Sequence, residues 1–539
     1  MKKYLYHLFF LSTMIIAIPG FSEKVVVIVE PDEGVNIGAL NQAIENDVDP
    51  GNTIFELRRD GVYYLNGTIA YTDFTLHIRA EEGTGAKPVL QPAVDEQGNV
   101  GRHFSASGNL ILEGVYLQGR SELGSIIDQP VRVTGDGVRV IIDDSFFDYC
   151  TSSMVRLNAD NSKVYITNSI FRNALLSDNP DNGRLVDTRS NPTDTISVKN
   201  STIYNGGSRL IRTSGANINY MEMDHNTVFQ TSFKENFMLD ATKTAKITNN
   251  IFYNFSYRVD NTQHDPMFTV DSIGEGGPYL DEDRYFDLSN NNIYQQQEII
   301  DVFDNFSPDT LYRFNDWDTL QLDTIYFEWD VNTDQLFANQ NILDTATWTP
   351  KPVLLHFIEN GQVDTTNIFN EELEFDNAPP LNLDYLEFYV SNNFSIGGTN
   401  PPNPFADEDP NAIGEVEDGY TFRYNANSIS ATAATGGNPL GDPRWTPIGS
   451  NVNDITREKE MIVYPNPSSG MVTVEFLSPA NNNVRIEVIN ITGQLVYATE
   501  RETSAGNSQL LDLQNMDKGI YFLVVHYDNN KKTTRLIIQ

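Results

Sequence analysis

Ile166-Thr167-Asn168-Ser169-Ile170-Phe171 and Ile247-Thr248-Asn249-Asn250-Ile251-Phe252 are two copies of one phrase: apolar, polar, Asn, small polar, then apolar and aromatic. Five more surround them, ending at Leu117, Phe147, Tyr204, Phe229 and Tyr294. The seven end-points lie 23 to 42 residues apart, a period that belongs to solenoids. Each copy alternates with period two, is rich in Val, Ile, Phe and Tyr, and is broken by Asn, Ser or Gly, so it reads as strand and bend rather than helix. Between copies stands a second strand signal: Ile126-Ile127-Asp128, Met154-Val155-Arg156, Leu185-Val186-Asp187, Leu210-Ile211-Arg212 and Met238-Leu239-Asp240. Several short strands per coil predict an all-β fold, a right-handed parallel β-helix with neighbouring coils about 4.8 Å apart. The Asn at each bend suits a turn and can stack on the Asn of the next coil.

The chain has 539 residues, 36 Lys plus Arg against 74 Asp plus Glu, and a formal charge of −38. That balance argues against nucleic acid or an anionic membrane as partner. Residues 1–22, with Lys2-Lys3, an apolar run from Tyr4 to Ile18 and Pro19-Gly20-Phe21-Ser22, read as a secretory signal peptide. No later stretch has the length and apolarity of a transmembrane segment. A single cysteine, Cys150, forms no intrachain disulfide and reads as a buried thiol.

Residues 23–300 form the β-helix domain, opened by a cap: a strand over Val25–Val29, then a short amphipathic helix over Gly38–Asn46 with apolar residues at 40, 43 and 44. Such a cap shields the open end of a solenoid. The phrases NTIFELRRDGVYYL (52–65) and FTLHIRAEEGTGAKPVL (74–90) resemble the opening of pectate-lyase-like and chondroitinase-B-like secreted β-helix proteins, over roughly residues 35–296. The resemblance implies a pectin-lyase-like fold and a polysaccharide as the interacting molecule.

Residues 301–450 hold 25 Asp plus Glu against 4 Lys plus Arg and read as an acidic, strand-and-loop continuation of the β-helix domain. Asp323–Trp329 and Leu383–Val390 are its strand candidates. GGNPLGDPRW (436–445) looks like the closing phrase of secreted β-helix proteins from gliding, polysaccharide-degrading bacteria, and reads physically as a turn followed by a Trp anchor. Residues 455–539 alternate at short intervals, as a small antiparallel β-sandwich does. YPNPSSG (464–470), GQLVY (493–497), KGIYFL (518–523) and KTTRLII (532–538) resemble the C-terminal sorting domain of type IX secretion. This implies the secretion translocon as partner and a secreted or outer-membrane surface location in a Gram-negative bacterium.

Aligning the second strand of each coil places Asp128, Arg156, Asp187, Arg212 and Asp240 in one column of alternating sign. One reading is a ladder of surface ion pairs, each worth up to about 1 kcal/mol. The other is a groove for an acidic polysaccharide, with Arg156, Asp187, Arg189, Arg212 and Asp240 as binding residues. A lyase of uronic acids needs a carboxylate clamp, for which Arg156 and Arg212 are candidates, and a base, for which Lys243, Arg189 and His225 are candidates. A hydrolase needs two carboxylates about 5 to 10 Å apart, as Asp187 and Asp240 are on this alignment. A non-enzymatic surface adhesin or structural protein is the alternative. His225 takes the bend position filled elsewhere by Asn, which reads as a substituted ladder position. Calcium is the one cofactor suggested, at Asp281-Glu282-Asp283, Asp316 with Asp318, or Asp407-Glu408-Asp409.

Overall fold

The computed structural model describes residues 24–32, 37–231, 237–239, 241–255, 268–269, 277–306, 325–330, 335–340, 360–364, 366–392, 396–405 and 419–448. Beyond these it describes 461–464, 468, 470–476, 483–490, 495–502, 508–513, 516, 518–527 and 530–538. The chain divides into two compact units, Met1–Ile448 and Gly449–Gln539.

In the first unit, strands of one coil hydrogen-bond only to the matching strands of the coils before and after, building three parallel sheets of 11, 8 and 10 strands. The architecture is a parallel β-helix. The first sheet contains Arg139–Asp143, Ser162–Thr167, Thr193–Lys199, Ile218–Asp224 and Thr242–Thr248; the third contains Phe146–Cys150, Ile170–Ala174, Thr202–Gly206, Thr227–Thr231 and Ile251–Phe255. The second contains Val131–Val133, Ser153–Leu157, Arg184–Asp187, Ile211–Arg212 and Phe237–Met238. Alternation decides what fills the tube: Val140 and Ile142, Val164 and Ile166, Ile196 and Val198, Met221 and Met223 point inward and are buried in one continuous core. A last partial coil, Val363–Asp364 and Ile368–Phe369, extends the first and third sheets beyond residue 300.

The repeated phrase is the bend from the first sheet into the third. At this bend one residue of each coil lies in the left-handed region: Asp144, Asn168, Asn200, His225, Asn249 and Asn290 have φ of 44, 50, 50, 53, 61 and 55°. Asn and Asp tolerate that conformation better than other side chains with a Cβ, which explains their choice. The column stacks as expected, with Asn200 Nδ2 donating to Asn168 Oδ1 at 3.4 Å. A second ladder, one residue later, lies inside the tube: Ser145, Ser169, Ser201, Asn226, Asn250 and Asn291. The backbone N–H of each of the first five donates to the side-chain oxygen of the next, at 2.8 to 3.1 Å.

The cap helix is Ala39–Asn46, burying Leu40 and Ile44 against the first coils. The strand expected over Leu383–Val390 is an α-helix, Leu383–Ser391. Its buried residues, Tyr385, Leu386, Tyr389 and Val390, follow a helical period and pack with Ile299 and Val302 of the helix Gln297–Phe306.

The second unit consists of two antiparallel sheets, one of three strands and one of four. Val472, Val474 and Leu511 of the first and Ile486, Val488, Leu523, Val525 and Leu536 of the second share one core, as in a small β-sandwich.

Candidate functional site

On the second sheet, register puts Ser105, Arg132, Arg156, Asp187 and Arg212 in one column. Their neighbours Val131, Val155, Val186 and Ile211 are wholly buried, so the column faces out of the tube. Asp128 is not in it. The strand is Val131–Val133 rather than Ile126–Asp128, because Ile126 bridges back to Arg120 in a turn, and Val131-Arg132-Val133 supplies the alternation a strand needs. Asp240 lies outside the described residues. The expected alternation of sign therefore fails at its start: Arg132 stands directly beside Arg156.

Two carboxylates organise the arginines. Asp187, 1% exposed, accepts from Arg212 Nη1 at 3.4 Å and from the backbone N–H of Arg189 at 3.0 Å, with Arg184 Nη1 at 3.9 Å. Asp128 Oδ2 takes Arg132 at 3.2 Å and Arg102 at 3.4 Å. Arg156 lies between these groups, and its Nε is shut from water with no hydrogen-bond partner among the described residues. Burial, then the neighbouring charge of Arg189, lowers the Arg156 pKa below the usual arginine range. Burial, then Arg102, does the same to Arg132. Arg184 is pushed down to about 10 by burial, opposed by Asp187 and reinforced by Arg212, Arg209 and Arg189. Arg189 itself is held at φ 51°, in the left-handed region. The result is a run of guanidinium groups on one face of a chain with a net charge of −38.

The structure thus brings Arg156, Asp187, Arg189 and Arg212 together and adds Arg132 and Arg102. It sets Lys243 apart, on the first-sheet strand Thr242–Thr248, with Nζ 5.9 Å from the centre of the Tyr279 ring. His225 is a bend residue whose Nδ1 is 3.0 Å from Asp224 Oδ2. Burial opposes ionisation of Asp224, but hydrogen bonds from His225, Asn249 and Thr248 outweigh it and hold the carboxyl below the usual range. Cys150 is buried in the tube, and burial pushes its thiol up to about 12, so it is no nucleophile at neutral pH. Asp281-Glu282-Asp283 forms a short 3-10 turn tied to Arg284 at 3.0 Å. Asp316, Asp318 and Asp407–Asp409 lie outside the described residues. Among the described residues, no three His, Cys, Asp or Glu side chains gather as a metal site requires, and no helix is long and apolar enough to cross a membrane.

Residues 462–539 match the family model of the secretion system C-terminal sorting domain. No curated protein matches the chain. The sorting domain marks the protein as cargo of type IX secretion, delivered to the medium or the cell surface of a Gram-negative bacterium.

Proposed function

We propose that the outward face of the second sheet binds an acidic polysaccharide outside the cell, and that the protein works there as a glycan-binding β-helix. The observation that carries this reading is Arg132 beside Arg156 in the same register. Like charges directly opposite across a strand pair destabilise a sheet, so a structural ladder gains nothing from them, whereas a row of carboxylates supplied by a ligand removes the repulsion. Guanidinium forks take carboxylates two-pronged, which Lys cannot copy. A solenoid sheet repeats its contacts along its axis and so offers a track to a linear polymer.

The test is binding of pectate, alginate and chondroitin sulfate to the parent, Arg132→Ala and Arg156→Ala, by calorimetry. Each variant should lose at least tenfold in affinity, about 1.4 kcal/mol, with a melting temperature that does not fall, since the like-charge pair is relieved. Unaltered affinity in both, for a glycan the parent binds, would refute the proposal. The same incubations, followed by ultraviolet absorbance of unsaturated uronate, report whether the bound glycan is also cleaved by elimination.

A further inference from the structure

The first sheet begins one coil before the other two. Its opening strand, Val25–Val29, pairs with Thr53–Leu57 and with no other strand among the described residues, so one edge of backbone N–H and C=O groups is free. Natural sheets blunt such edges with charge, proline, bulges or cover. Here the register is continuous and all five residues are apolar. Val27 and Val29 lie opposite the buried Phe55 and Leu57 and face the tube, so Val26 and Ile28 face outward, 44% and 49% exposed.

The charges lie only at the ends. Lys24 precedes the strand and Glu30 follows it; Lys24 Nζ is shut from water with no hydrogen-bond partner among the described residues, and the Glu30 side chain, 69% exposed, accepts from Arg58 Nη2 at 2.9 Å. Lys-Val-Val-Val-Ile-Val-Glu is therefore self-complementary when read against itself in reverse.

We propose that this edge pairs antiparallel with the same edge of a second copy, about a two-fold axis through Val27. In that register Lys24 meets Glu30 of the second copy at both ends. Val26 meets Ile28 of the second copy, and the axis keeps these four side chains on one outer face as a continuous apolar strip. The contact is isologous and closes at two copies. One short strand per copy makes a small interface, with a dissociation constant of about micromolar or weaker.

Sedimentation of the exported protein from about 1 to 500 μM tests it. The parent should dimerise reversibly, and Val26→Lys with Ile28→Lys should be monomeric with an unchanged circular-dichroism spectrum. Should that variant misfold, the charges decide: Lys24→Glu alone and Glu30→Lys alone should each weaken the dimer about tenfold, and the two together should restore it. A parent monomeric throughout, a dimer indifferent to the lysines, or charge reversals that do not rescue each other would overturn the proposal. So would capture of this edge by an extended peptide from another protein in place of the second copy.

Discussion

His103 is wholly buried, and its Nε2 lies 2.9 Å from the Leu90 carbonyl, the arrangement of a neutral ring donating to an acceptor. Burial lowers its pKa from 6.5 to about 4. The unfolded chain therefore binds this proton at higher pH than the folded one, so the histidine's contribution is complete above about pH 6.5, falls with pH and levels off below about 4. About 3 kcal/mol is lost across that window, about 2 of it by pH 5, and urea unfolding at pH 7 and pH 5 should show the loss in the parent and not in His103→Gln. The two ladders at the bend respond differently to substitution. Asn200→Gly keeps the left-handed turn and should be nearly neutral, whereas Asn250→Ala leaves the buried Asn226 N–H without its acceptor and should cost about 1–3 kcal/mol in the same measurement. The outer ladder was legible because Asn recurs at one position of the repeated phrase. The inner one was not, because Ser145, Ser169 and Ser201 give way to Asn226, Asn250 and Asn291, and two residue types hide one column. Arg132 was missed for a related reason: a three-residue strand carries a weaker signal than the apolar pair Ile126-Ile127 just before it, and only hydrogen bonding separates the turn from the strand.

At the scale of elements, each copy of the phrase hides a one-residue choice. Ending the later copies on an aromatic aligned Phe171 with Tyr204, but the structure pairs Phe171 with Ile203 and Arg172 with Tyr204. Tyr204, Phe229, Tyr253 and Tyr294 consequently form a column on the outer face of the third sheet. Segments between Leu373 and Trp445 cover it, with Leu373, Tyr420, Phe422, Tyr424 and Leu440 packed on the rings. This cover was unreadable in the sequence because its partners lie far away in the chain and it has little regular structure of its own. The helix Leu383–Ser391 was misread because its adjacent apolar pairs fit a short strand as well as a helix. The anchor at the end of the cover was legible as a Trp and is more than that: Trp445 Nε1 donates to Thr202 Oγ1 at 2.6 Å, and the buried Asp442 accepts from the same hydroxyl at 2.7 Å. Gly441, at φ 84°, lies so close that a Cβ would stand 2.7 Å from Thr227 Oγ1 and 2.8 Å from Ile251 Cδ1. Gly441→Ala should cost about 1–3 kcal/mol, through positive φ and overpacking together, and hydrogen exchange should speed up at Asp442 and Trp445 while the tube core stays protected.

For the whole molecule, stability and destination are written in different stretches of chain. The solenoid buries its own continuous core from Val29 to Leu288, and the second unit buries a separate one from Val472 to Ile538. Among the described residues, none belongs to both. The sorting motifs were the most legible part of the sequence, since they are short and local, with KGIYFL and KTTRLII alternating around the core residues Leu523 and Leu536; the described segments between Leu373 and Trp445 were the least, since they pack on the outer face of the third sheet rather than on one another alone. These facts forecast one experiment. Without residues 455–539 the β-helix keeps every element of its core, so it should fold, resist protease and melt as it does in the full chain, while losing the address that carries it across the outer membrane. Fractionation should therefore find the truncated chain soluble and protease-resistant in the periplasm, and the full chain in the medium or on the surface. Grafting 455–539 onto an unrelated periplasmic protein should send that protein outward. A truncated chain that still reaches the surface would place the export signal in the solenoid, and one that is degraded would show that the first unit depends on the second to fold.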